Sequence, residues 1–170
     1  MDEFGNETRR GYAFVIHTSS QTSELLTDYD LVVDALRQGN DKVDLDHGGQ
    51  SFTATVLAVT TEPHVALLRI PGEFPSLSIS VSTPKTGDTV TLGEPGSSGL
   101  RDGAVVAYSG RGSAEHLTFS VEVPDVDDGA PVLNSAGKVV GIAEPSTPFH
   151  VSGIGFAMPI LRACQAVGVC

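Results

Sequence analysis

The sequence has no tryptophan, few basic residues and no long apolar run, and each shortage argues against a class of protein. Ten lysines and arginines stand against 21 acidic residues, for a formal charge of -11. Nucleic-acid binding draws on clustered basic side chains, and no such cluster occurs, so we expect no nucleic-acid partner. No run approaches the ~18 apolar residues of a membrane span, and the opening MDEFGNETRR lacks the apolar core of a signal peptide.

Cysteine is also scarce. The only two cysteines, Cys164 and Cys170, lie close together near the end of the sequence. Their spacing fits no metal-binding cysteine pattern, and nothing else in the sequence calls for a cofactor. A disulfide between them is favoured over two free thiols, and it would indicate an oxidising compartment.

The residues that are abundant favour an all-β fold. Nineteen glycines, ten prolines and many valines and threonines occur in a chain that is 40% apolar. Short apolar segments alternate with clusters of turn-forming residues, which is typical of barrels and sandwiches. The sequence NSAG, Asn134 to Gly137, predicts a hairpin. A short closing helix is predicted from Pro159 to Val167, and PGEFPS, Pro71 to Ser76, is interpreted as a linker. The predicted strands are Tyr12 to Ile16, Val43 to Leu45, Ser51 to Val59, Val65 to Ile70, Thr89 to Leu92, Ala104 to Tyr108, Leu117 to Val123, Pro131 to Leu133, Lys138 to Ile142 and Gly155 to Ala157.

Five stretches in order carry a resemblance to a known family: GYAFVI, LTDYDLVVDA, EPHVALLRI, TVTLGEPGSSG with GAVVAYSGR, and DDGAPVLNSAGKVVGI with VSGIGFAMPI. Together they resemble the trypsin-like serine protease fold in its bacterial HtrA-like form. The resemblance implies an all-β fold of two six-stranded antiparallel barrels with a cleft between them and a short C-terminal helix. It implies an extension at residues 1–10, a first barrel at 11–75, a second at 76–158, and a helix and tail at 159–170.

The resemblance also indicates which positions of this chain correspond to the family's catalytic residues. At every one of these positions the residue type differs from that of the family. The family's histidine falls on Asp30, its aspartate on His64 and its serine on Asp128, while a glycine of the oxyanion hole falls on Val126. Acyl transfer by this fold needs a hydroxyl nucleophile and an imidazole that takes and returns its proton. A carboxylate at position 128 offers neither, so we expect no serine-protease activity.

Three roles remain open for these residues. Asp30 and His64 should face each other, and a hydrogen-bonded, buried polar pair is the preferred interpretation. Asp30, His64 and Asp128, with Asp127 beside them, are also potential ligands of a divalent cation, although adjacent acids in loops are usually just solvated, so no metal is predicted. The third role is a hydrolase with a non-standard Asp/His site, including an aspartic-type dyad.

We therefore interpret the sequence as an inactive trypsin-like domain that is a binding or sensor module of a larger, extracytoplasmic bacterial protein. A protein or extended peptide is the expected partner, bound by backbone pairing along Ala143 to Gly153 with Phe149 and His150 as contacts. A purely architectural role is an alternative. Family relatives often carry a membrane helix ahead of this domain, so a membrane-anchored parent protein stays open.

Overall fold

The computed structural model describes residues 9–93, 100–109, 116–146 and 152–170, which fold into strands joined by short turns, with two short helices. Helix α1 is Val33–Arg37 and helix α2 is Ile160–Ala166. The strands are β1 Ala13–Thr18, β2 Thr22–Thr27, β3 Lys42–His47, β4 Gln50–Thr61, β5 His64–Pro71, β6 Thr89–Leu92, β7 Arg101–Ser109, β8 His116–Phe119, β9 Pro131–Asn134, β10 Val139–Glu144 and β11 Gly155–Pro159. The all-β prediction and the closing helix are confirmed.

The second half is the closed six-stranded barrel that the resemblance implied. Its strand order is β10-β11-β8-β7-β6-β9, and β9 pairs with β10 to close it. Alternate residues of β8, Leu117 and Phe119, are fully buried in its core, as the period of two in a strand requires. The predicted NSAG hairpin joins β9 to β10, where the Asn134 side chain accepts hydrogen bonds from the amides of Ala136 and Lys138, each at 3.0 Å.

The first half is a five-stranded antiparallel sheet in the described residues, with the order β1-β2-β5-β4-β3. The expected count of six strands therefore has to be corrected for this part of the chain. At the outer edge of β1, the amide of Leu77 donates to the carbonyl of Val15 at 2.8 Å. Just before β1, the amide of Tyr12 donates to the carbonyl of Asp128 at 2.6 Å. Neighbouring loop segments thus satisfy backbone groups that a sixth strand would otherwise bond.

Strand β2 was missing from the strands predicted by pattern. Its sequence TSELLT does not alternate between apolar and polar residues, yet it lies between β1 and β5 and is largely buried. Its buried hydroxyls are satisfied by backbone carbonyls: Ser23 donates to Gly72 at 2.9 Å and Thr27 donates to Tyr12 at 2.6 Å. A strand buried on both faces need not alternate, because hydrogen-bonded hydroxyls substitute for apolar side chains.

The two halves share a hydrophobic core. One buried cluster combines Phe14 and Leu26 of the first sheet with Ile142 and Met158 of the barrel and with Ile160 of α2. The predicted linker is packed rather than loose, since the ring of Phe74 lies edge-on to that of Phe52 with centroids 5.2 Å apart. Among the described residues, none of the helices has the length and apolar character needed to cross a bilayer.

Candidate functional site

Two aspartates are positioned by a tight turn that follows β2. Asp28 is the N-cap of the 3₁₀ turn Tyr29–Leu31, and its carboxylate oxygen Oδ1 accepts a hydrogen bond from the amide of Asp30 at 2.7 Å. Capping by aspartate is favoured because its side chain satisfies an amide that has no partner inside the turn. The bond fixes Asp28, which is only 4% exposed, at the start of the turn that carries Asp30.

Asp30 meets two basic side chains. Its Oδ1 lies 3.7 Å from Nδ1 of His64, the first residue of β5, and its Oδ2 lies 3.2 Å from a guanidinium nitrogen of Arg9. The predicted Asp30–His64 contact is therefore present. However, 3.7 Å is beyond hydrogen-bond range, and the two side chains are 41% and 47% exposed, so the expected buried, hydrogen-bonded pair is wrong. The ring of Tyr29 lies edge-on to the imidazole at 5.7 Å.

Asp128 reaches the same corner from the second half. It follows the 3₁₀ turn Asp125–Asp127, and its backbone carbonyl accepts the amide of Tyr12, whose own carbonyl accepts the hydroxyl of Thr27. These two bonds hold the backbone of Asp128 near Thr27, the residue before Asp28. It is 5% exposed, and its Oδ1 is buried without a hydrogen-bond partner among the described residues.

Burial and the charges of neighbouring groups raise the pKa values of Asp28 and Asp128. The pKa of Asp128 is raised to about 8, mainly by burial and also by the negative charges of Asp28, Asp30 and Glu144, while Arg9 lowers it. Burial likewise raises the pKa of Asp28 to about 7, against the hydrogen bond from the Asp30 amide, which lowers it. Near neutral pH these two carboxyl groups are therefore partly protonated, unlike that of an exposed aspartate. Atoms of Asp28, Asp30 and His64 that could ligate a metal lie within 4.8 Å of one another.

The amide of Asp128 is used within the turn that precedes it. The amide of Asp128 is directed at the carbonyl of Asp125, 3.4 Å away, and Val126 is 63% exposed at the middle of the turn. Asp127, considered above as a cation ligand, is instead paired with the guanidinium of Arg101. Only the next residue, Gly129, has a positive φ, of 79°.

Two acids of this site were not recognised in the sequence. Asp28 was passed over, although an Asp-x-Asp sequence after a strand is a recognisable capping signal. Glu144, at the end of β10, contributes negative charge to the site and lies 3.2 Å from Nδ1 of His116. That hydrogen bond raises the pKa of His116. His116 is only partly exposed, and no sequence pattern links it to Glu144, since 28 positions separate them.

The predicted binding segment is only partly described. Phe149 and His150 lie outside the described residues. In the described part, the amide of Ala143 donates to Ala130, Glu144 pairs with Phe156 of β11, and the amide of Ser146 donates to the carbonyl of Val123. These backbone groups are used within the barrel. The expected open edge for a peptide is therefore not found between residues 143 and 146.

The predicted disulfide is confirmed. Cys164 and Cys170 are bonded, with Cα atoms 5.3 Å apart, and Cys164, a residue of α2, is buried in the shared core. The bond fixes the tail that follows α2.

The chain matches a known protein family over most of its length. Residues 11–142 match the family described as the trypsin-like peptidase domain, which is more than half of the chain, and the chain belongs to this family. No curated protein matches the chain in sequence. The assignment agrees with the resemblance of the five sequence stretches.

Solved structures are similar in fold. The HtrA-type protease AlgW with a decapeptide has a TM-score of 0.76 at 20% identity, over 93% of this chain and 50% of that one. A serine endoprotease from Yersinia pestis has a TM-score of 0.74 at 22% identity, over 93% and 56%. The inactive form of the Rv3671c protease has a TM-score of 0.71 at 22% identity, over 93% and 82%. The chain thus spans about half the length of the first two proteins.

Proposed function

We propose that this chain is a catalytically inactive trypsin-like domain that serves as an extracytoplasmic binding or sensor module of a larger bacterial protein. The observation that carries the proposal is the buried carboxyl group of Asp128. It occupies the position that the resemblance gives to the nucleophile, and the acids Asp28 and Asp30 are its charged neighbours.

The chemistry of this corner does not suit acyl transfer. Attack by a carboxylate on an amide would form a mixed anhydride, and a nearby general acid would have to protonate the departing amine. Asp128, with its pKa raised to about 8, is mostly protonated at neutral pH and is then a weaker nucleophile still. Among the described residues, no serine or threonine hydroxyl is hydrogen-bonded to a histidine, so no substitute pair of nucleophile and base is found there.

Stabilisation of an oxyanion is also disfavoured. The donors of an oxyanion hole must point at the oxygen that becomes negative. Here the amide of Asp128 points back towards the carbonyl of Asp125 at 3.4 Å, and Val126 lies within the same turn. Ionisation of Asp128 would add repulsion, because its charge would lie beside the developing anion.

Similarity and the disulfide support the proposed partner and compartment. A similar HtrA-type protease, AlgW, was solved with a decapeptide, which supports a protein or peptide partner for this domain. The Cys164–Cys170 disulfide supports an oxidising, extracytoplasmic environment, since such bonds are rare in the cytosol. The HtrA-like resemblance supports a bacterial source.

Turnover assays test the proposal. We expect no hydrolysis of casein or activated esters by the wild-type chain or by Asp128→Ala, which removes the carboxyl group. Turnover by the wild type that is lost in Asp128→Ala would instead favour the alternative, a hydrolase with an Asp/His site. That alternative draws on the raised pKa values of Asp28 and Asp128, which are typical of paired catalytic acids.

A reversion experiment tests the alignment of the catalytic positions. The triple variant Asp30→His, His64→Asp and Asp128→Ser restores the residue types of the family. We expect it to stay inactive until Val126→Gly is added, because the turn before position 128 must also open its amides to the cleft. Activity in neither variant would mean that these are not the lost catalytic positions.

A further inference from the structure

Donor atoms of three side chains are already close enough to share one ion. Among the described residues, ligating atoms of Asp28, Asp30 and His64 lie within 4.8 Å of one another. Bonds from divalent cations to oxygen or nitrogen ligands are about 2.0 to 2.5 Å long, so two ligands of one ion lie at most about 4 to 5 Å apart. An ion can therefore reach all three without movement of the backbone.

A fourth side chain gives an independent reason to expect a ligand here. The Oδ1 atom of Asp128 is buried without a hydrogen-bond partner among the described residues, and the residue as a whole is 5% exposed. Its backbone is held beside Thr27 and Asp28 through Tyr12, and Asp28 and Asp30 are the strongest negative charges that its carboxyl group meets. A buried acceptor without a donor is rare and costly in folded proteins, and a cation would satisfy it.

We propose that Asp28, Asp30 and His64 form a binding site for one divalent cation, with the buried carboxyl group of Asp128 as a neighbouring acid. Two carboxylates and one imidazole suit Mn²⁺ or Zn²⁺ better than Mg²⁺, which prefers oxygen ligands and keeps most of its water. The site goes beyond the proposed peptide-binding role and does not depend on it.

Neighbouring groups orient the ligands. Asp28 uses Oδ1 to accept the amide of Asp30, which leaves Oδ2 for an ion. Tyr29 lies edge-on to the ring of His64 and limits its rotation. The guanidinium of Arg9 lies 3.2 Å from Oδ2 of Asp30, and this positive charge competes for the place of the ion.

Calorimetric titration of the chelator-treated chain with Zn²⁺ and with Mn²⁺ at neutral pH tests the site. We expect one ion per chain, with Mg²⁺ binding more weakly than either. The variant His64→Ala should weaken Zn²⁺ binding at least about tenfold, because it removes a direct ligand. Its side chain is 47% exposed, so the fold does not depend on it. His17→Ala, which removes an exposed imidazole of β1, is the matched control and should bind like the wild type.

A second variant distinguishes a cation site from a cluster that is only protonated. Arg9→Gln removes a competing positive charge, and we expect it to tighten Zn²⁺ binding several-fold. If the Arg9–Asp30 ion pair is only structural, its loss would leave the affinity for Zn²⁺ unchanged. The proposal is overturned if the wild type binds neither ion at millimolar concentration, if His64→Ala binds as tightly as His17→Ala, or if Arg9→Gln does not bind more tightly.

Discussion

Replacing the Asp128 carboxyl group with an amide should make the domain more stable at alkaline pH. Burial holds the pKa of Asp128 at about 8 in the folded chain, against 3.8 for an ordinary aspartate. Between these two pH values the folded chain binds more protons than the unfolded chain. The free energy of unfolding therefore falls as the pH rises through this window. Asp128→Asn keeps the shape of the side chain and cannot ionise, so the variant avoids this loss.

The size of the effect follows from the pKa shift. One pKa unit corresponds to about 1.4 kcal/mol, so the difference between 3.8 and about 8 sets an upper limit of about 6 kcal/mol. Relaxation of the cleft and admission of water reduce this value, and we expect Asp128→Asn to be more stable than the wild type by about 2 kcal/mol at pH 8.5. Near pH 4, where the carboxyl group is protonated in the fold, the two proteins should differ little.

Urea unfolding in the presence of a chelator, repeated from pH 4 to pH 8.5, measures this difference. The control is Asp44→Asn, at an exposed position of β3 far from the cleft, which should show no comparable gain as the pH rises. A constant difference between Asp128→Asn and the wild type across the whole pH range would refute the reasoning, because the buried carboxyl would then not be the group that titrates.

Three further predictions concern the frame of the site. Gly129→Ala should lower the free energy of unfolding by more than about 2 kcal/mol in urea, because φ is 79° and the new Cβ would lie 2.3 Å from a backbone oxygen. The control Gly137→Ala, with φ of 72° and open space around it, should lower it by about 1 kcal/mol. Cys170→Ser should lower stability by about 2 kcal/mol through loss of a short disulfide loop, as measured by thermal unfolding against the oxidised wild type. In an NMR titration, His116 should show a pKa above 6.5, and this pKa should fall in the variant Glu144→Gln. The stability that the His116–Glu144 contact adds should be fully present below pH 6.5 and lost as the pH rises through the pKa of His116 in the folded chain.

The fold was largely predictable because its turns and strands obey local rules. The NSAG hairpin, the closing helix and the second barrel follow from turn residues, periodicity and the resemblance of the five stretches. The buried strand β2 escaped pattern analysis because the partners of its hydroxyls, the carbonyls of Gly72 and Tyr12, are 49 and 15 residues away from them. The sixth strand expected for the first sheet has no counterpart in the described residues, where backbone groups of residues 77 and 128 bond to Val15 and Tyr12.

The site was predictable in its positions but not in its energetics. The approach of Asp30 to His64 was expected from the alignment of motifs, and they lie 3.7 Å apart. The alignment could not reveal that this pair is exposed while Asp28 and Asp128 are buried, because burial depends on how the two halves pack. The contribution of Glu144 to the site was not predictable for the same reason, since Glu144 lies far from Asp28 in the sequence.

Labelling with a fluorophosphonate probe, followed by intact mass measurement, tests the central claim most directly. Such probes modify a serine only when an adjacent base activates its hydroxyl. The account, in which buried acids occupy the catalytic corner, predicts that wild-type chain keeps its unlabelled mass after prolonged incubation, while an active serine protease treated in parallel is labelled completely. Stoichiometric addition of one probe to a serine of this chain would contradict it.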